Sequence, residues 1–247
     1  MALMKRPTIL GLIAAAVATG AIATLAILAA QQQNPQTVSK RKSFDEKRYP
    51  IADFSAPEPS DPVERAKRKA RGRKHDKSDW AVNPESPSDT TARVDFVDKT
   101  LPALPLTRNT LVAIGKITDA RAYLSNDKTG IYSVFALQVQ EVLMDAPQKG
   151  VAPGTLLELE REGGRVRFPS GRVSLYLTKD QDMPEIGSSY VFFLADHDND
   201  SVFQIVTAYE LREGRVYPLD DVPNSRIYQD AEATKFMNEL KARITSF

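Results

Sequence analysis

The chain contains no cysteine. Disulfides, zinc–thiolate sites and a cysteine nucleophile are therefore excluded, as are lipoprotein acylation and S-palmitoylation. Histidine is nearly absent as well, with His75 in a basic stretch and His197 in an acidic one. Neither a histidine-based metal cluster nor a Ser/His/Asp triad is supported by that pair. No P-loop, G-x-G-x-x-G or G-x-S-x-G occurs. Trp80 is the sole tryptophan. Net charge is also lacking, at +1 from 33 Lys/Arg against 32 Asp/Glu. That balance names no nucleic-acid partner. An enzyme is the least favoured class, and no cofactor is expected.

What is present begins with an uncharged run of twenty-three residues, Thr8 to Ala30, after a basic head at residues 1–7 with Lys5 and Arg6. A helix rising about 1.5 Å per residue could cross a hydrocarbon core with this length. The run predicts a transmembrane anchor or an uncleaved signal. Its many alanines, Gly20 and the A-x-A-like Ala21-Ile22-Ala23 keep a cleaved signal peptide as the rival. The positive head favours a cytoplasmic N-terminus and an exported body. The expected address is a single-pass membrane protein with an exported C-terminal domain, or a secreted or periplasmic protein after cleavage.

Nine of the sixteen prolines fall between Gln31 and Pro105, among few apolar residues. That composition predicts a disordered, charged linker over residues 31–105. Within it, Asp61-Pro62 and Glu64 can start a short basic helix near 62–71, which Gly72 could end. Arg65, Lys67, Arg68, Lys69, Arg71, Arg73 and Lys74 form a candidate contact for polyanions or anionic lipid. A solvated charge run is the plainer reading.

From Leu111 onwards, short apolar runs alternate with turn signals, the pattern of an all-β domain over residues 106–221. Ile131–Gln140 alternates cleanly, whereas Ser189–Ala195 is apolar on both faces and reads as a central strand. Seven or eight short strands are expected, closing into a small barrel. Ala233, Phe236, Met237, Leu240 and Ile244 share one face of a predicted amphipathic α-helix at 229–245, packed on the barrel.

The order of these pieces carries a resemblance. A V-x-I-G-x-I strand (Val112 to Ile117) precedes a long strand ending V-x-E-V-L (Val139 to Leu143). A P-G, a G-G turn and G-S-S-Y-V-F-F-L (Gly187 to Leu194) follow. Residues 110–218 thus resemble the OB-like or netrin-like β-barrels of bacterial extracytoplasmic proteins, distantly similar to metalloproteinase inhibitors. That inhibitor family uses an N-terminal cysteine, which this chain lacks, so protease inhibition is not implied.

Two further clusters are candidate sites. Asp196, Asp198 and Asp200 alternate on a turn and could offer oxygen to calcium, although Ser201 and Thr207 stand where an EF-hand-type loop needs Gly and Glu. A polar hairpin turn is the alternative. Arg161, Arg165, Arg167, Phe168 and Arg172 form the expected ligand-facing patch, and Glu158, Glu160 and Glu162 read as solvent-facing charge. The favoured function is a non-enzymatic, membrane-tethered extracytoplasmic binding or scaffold protein of a bacterial-type envelope, its partner an unidentified protein or envelope polymer. The alternatives are the same barrel in soluble form, or a cytoplasm-facing OB-type module with a basic arm that binds nucleic acid.

Overall fold

The computed structural model describes residues 48–78, 82–86, 90–93, 98–145, 150–196 and 202–246, of which 90–93 are described by backbone alone. All lie in one compact unit, Asp45–Phe247. The run Thr8–Ala30, Trp80 and His197 are outside the described residues. Among the described residues, no helix is long and apolar enough to cross a membrane.

The fold is mainly β with a C-terminal helix. Five strands form its centre: β3 (Thr110–Leu124), β4 (Ile131–Met144), β5 (Leu156–Glu162), β8 (Ser189–Asp196) and β9 (Val202–Arg212). β3 pairs antiparallel with β4, and β4 with β5; β5 then pairs parallel with β9. β9 pairs antiparallel with β8, and β8 with β3, so hydrogen bonding closes the five into a ring. Alternation fills its interior. Phe135, Leu137 and Val139 from β4 meet Leu157 and Leu159 from β5 and Tyr190, Phe192 and Leu194 from β8. Each such side chain gains about 1.5–3 kcal/mol by leaving water.

β8 is apolar on both faces because both are covered. Its other face, Val191 and Phe193, lies beneath helix α2 (Ala233–Thr245). Phe236 and Leu240 of α2 are buried there with Tyr209 and Tyr228. Tyr228 meets both Tyr209 and Phe236 edge-on, and Tyr209 Oη donates to the Ala103 carbonyl. The helix begins later than the expected 229. Ala231–Glu232 (β11) first pair with β10 (Arg215–Pro218), itself the hairpin partner of β9.

Between β5 and β8 the chain makes a hairpin, β6 (Gly164–Arg167) and β7 (Val173–Thr178). It belongs to a second sheet, ordered β1-β6-β7-β2. Its outer strands, β1 (Ile51–Asp53) and β2 (Thr90–Arg93), both run parallel to their partners. Both come from the segment expected to be a disordered linker, and that expectation fails for residues 48–78. The body includes residues well before 106, because Ile51–Asp53 pair with Arg165–Arg167 and Ala52 is buried with Val166 and Phe168. Strands β3–β10 correspond to the eight runs read from the sequence, but only five of them build the ring.

Candidate functional site

The basic stretch forms helix α1, Pro62–Arg73. Asp61 caps it by accepting from the Val63 amide at 2.9 Å, Pro62 takes the first position, and Arg71 and Arg73 sit in the last turn. A twelve-residue helix with few apolar residues needs a partner. It finds one in β5.

Lys67, Arg71 and His75 recur every fourth residue, and Glu158, Glu160 and Glu162 every second. Four helical residues rise about 6 Å and two strand residues about 6.6 Å, so the ladders mesh. Glu158 accepts from Arg71 Nη2 at 2.6 Å and lies 3.2 Å from Lys67 Nζ. Glu160 lies 3.7 Å from Arg71 Nε and 3.0 Å from His75 Nε2. Glu162 is 3.6 Å from His75 Nδ1. The glutamates therefore hold α1 and His75 to the ring, with Glu160 largely buried and Glu158 and Glu162 still partly open to solvent. Burial opposes the Glu158 charge, yet Arg71 and Lys67 still hold its carboxyl below the usual range.

A second clasp joins this arm to the β3–β4 loop. Asn126 Nδ2 donates to the Lys69 carbonyl at 3.0 Å, and the Asp127 amide to Asp76 Oδ1 at 3.0 Å. Asp127 Oδ2 accepts from the Lys77 amide at 2.7 Å. Hydrogen bonds from the Thr129 amide, the Ser125 hydroxyl and the Lys77 amide hold its carboxyl well below the usual range. The approach is close enough that a Cβ on Gly130 would strike the His75 carbonyl, and one on Gly72 would lie 2.7 Å from Asn126 Oδ1.

His75 is buried and stacked on Tyr132, ring centroids 4.3 Å apart. Burial alone would lower its pKa, but the hydrogen bonds to Glu160 and Glu162 outweigh it and raise the imidazole to about 9. His75 is therefore charged at neutral pH. The Tyr132 hydroxyl is buried and has no hydrogen-bond partner among the described residues. Burial pushes its pKa strongly up, so it remains a donor.

Three cavities meet α1 and share Arg68. One, of about 320 Å³, lies between α1 and the ring, lined by Arg68, Arg71, Arg121, Tyr123, Tyr132 and Glu158 among others. A second, of about 350 Å³, follows Phe54, Pro59, Arg65, Lys69 and Lys128, and a third, of about 460 Å³, runs beside Tyr49, β1 and Arg165. Arg68 lines all three. Its guanidinium stands 5.1 Å from the Tyr123 ring centroid, and no carboxylate among the described residues pairs with it.

The expected patch around β6 is not one surface. Arg161 is 3% exposed and forms a two-pronged pair with Asp220, Nη1 to Oδ1 at 2.7 Å and Nη2 to Oδ2 at 2.9 Å. Phe168 is buried in the second sheet. Arg165 donates to the Tyr49 carbonyl, and Arg172 to the carbonyls of Asn83 and Pro84 while lying over Phe168. Arg167 is exposed. Of the basic stretch, Lys67 and Arg71 are taken up by β5, and Arg65 by the Pro59 and Ser60 carbonyls. Arg68 lies over Tyr123, and Lys69, Arg73 and Lys74 are exposed. Asp196 ends β8, and Asp198 and Asp200 fall outside the described residues. Among the described residues, no group of three metal-ligating side chains assembles.

Sequence reading missed Tyr132, His75 and Tyr123 as site residues. The matched spacing of Lys67-Arg71-His75 against Glu158-Glu160-Glu162 was the signal that could have found His75. Comparison with known proteins finds no family model that matches the chain and no similar curated protein.

Proposed function

We propose that this chain is a non-enzymatic, membrane-tethered extracytoplasmic binding protein, with an OB-like barrel that takes its ligand in the recess between α1 and the ring. The recess at Arg68 and Tyr132 is the observation that carries this reading. Five strands ringed in the order β3-β4-β5-β9-β8 support the reading as an OB-like or netrin-like barrel. OB-type barrels take ligands on their second and third strands and the loop after the first. The corresponding parts here are β4, β5 and residues 125–130, the parts that α1 roofs.

The tether is Thr8–Ala30, which anchors the body outside the cytoplasm. A reporter that is active only outside the cytoplasm, fused after Phe247, tests the address. Activity there, with the protein in the membrane fraction, is the expected result. A reporter active only in the cytoplasm overturns it.

A further inference from the structure

We infer that the recess between α1 and the ring is an oxyanion site, and that its ligand is a linear polyanion bearing phosphate or carboxylate groups without stacking bases. The inference rests on the reading of this recess as the binding site and names the chemistry of its ligand.

Tyr132 lines the cavity of about 320 Å³, and its hydroxyl is buried with no acceptor among the described residues. A desolvated O–H with no acceptor is costly unless a ligand supplies one. Tyr132 shares this cavity with Arg68, Arg71, Arg121 and Lys67, against the carboxylates Glu64 and Glu158. Glu158 is neutralised by Arg71 and Lys67, and Arg121 pairs with the exposed Asp119. Among the described residues no carboxylate compensates Arg68, which lies over Tyr123. A buried donor beside an uncompensated guanidinium suits an oxyanion, because hydrogen bonds to a charged acceptor are the strong ones.

Arg68 also lines the two neighbouring cavities, where Lys69, Lys128 and Arg165 stand against Asp53 and Glu58. One phosphate or carboxylate would fill only the first cavity, so the shape fits a chain. The aromatic rings argue against nucleic acid. Single-stranded nucleic acid needs open ring faces for its bases. Here Arg68 lies over Tyr123, and Tyr132 tilts against that ring at 5.7 Å. Phe54 has Lys128 over its face at 4.7 Å and Phe168 at 5.5 Å.

The test measures binding of inorganic polyphosphate and of polygalacturonate to the full chain in neutral detergent micelles. Saturable binding of one or both is expected, and which of them binds identifies the anion. Tyr132→Phe removes the unpartnered hydroxyl and should leave the melting temperature unchanged or higher, while weakening binding about tenfold. Arg68→Ala should also weaken it and lower the slope of log affinity against log salt by about one. Arg73→Glu, on the same helix but outside all three cavities, should change little. Wild-type affinity in Tyr132→Phe overturns the site, as does equal loss in Arg73→Glu and Arg68→Glu. Oligothymidylate bound as tightly as polyphosphate of equal charge overturns the ligand class. So does binding to anionic phospholipid vesicles with none to either soluble polymer. None of these outcomes touches the reporter assay, so failure of the ligand chemistry and failure of the tethered reading are distinguishable.

Discussion

Arg161 and Asp220 are each buried to within a few per cent, and the pair ties together segments distant in sequence. Asp220 also accepts from Thr207 Oγ1 and the Asp182 amide, and Arg161 donates to the Asp182 carbonyl. Removing one side of such a pair leaves a buried charge without its counterion. Asp220→Asn should therefore cost about 3–5 kcal/mol in denaturant unfolding, and a loss below about 1 kcal/mol would show that water reaches Arg161. His75 makes stability depend on pH. Its folded pKa of about 9 lies above the ordinary 6.5. The stabilisation is therefore complete below the unfolded value and lost as pH rises through the folded one. Unfolding free energy should fall by about 2–3 kcal/mol between pH 7 and 10, with most of that slope absent in His75→Gln.

At the scale of elements, α1 and the β3–β4 loop behave as one docked unit. Gly130 leaves room for the His75 carbonyl that no larger residue can. In Gly130→Ala, amide exchange across 62–75 should quicken while that of β4 and β8 holds. Unchanged exchange in the arm would mean the docking tolerates the shift. The same unit explains what the sequence made legible. Strand β4 could be read because it alternates, and β8 because it is a short run apolar on both faces. The pairings of β1 with β6, β2 with β7 and β5 with β9 could not. Parallel neighbours share no hairpin and so leave no local signal. Proline and charge made 31–105 resemble a free chain. Its ordered part is held by ion pairs and strand addition, which apolar periodicity does not report. Arg161 misled for the opposite reason: an arginine on a strand reads as surface unless its distant carboxylate is known.

At the scale of the whole molecule, one segment of chain both belongs to the folded body and roofs the candidate recess. Tyr132, Arg68 and Tyr123 come together only because Pro62–Arg73 lies across β4 and β5. The alternating pattern of β4 could mark Tyr132 as a strand residue, but the cavity at its hydroxyl exists only in the assembled fold. Hydrogen–deuterium exchange on the full chain in micelles, with and without polyphosphate, reads the roof and the recess together. In the free protein, amides of 62–74 should already be protected well beyond those of an isolated peptide, and the ligand should slow exchange further in 62–74 and 119–124. Peptide-like exchange of 62–74 in the free protein, or ligand protection confined to β6, β7 and α2, would contradict it.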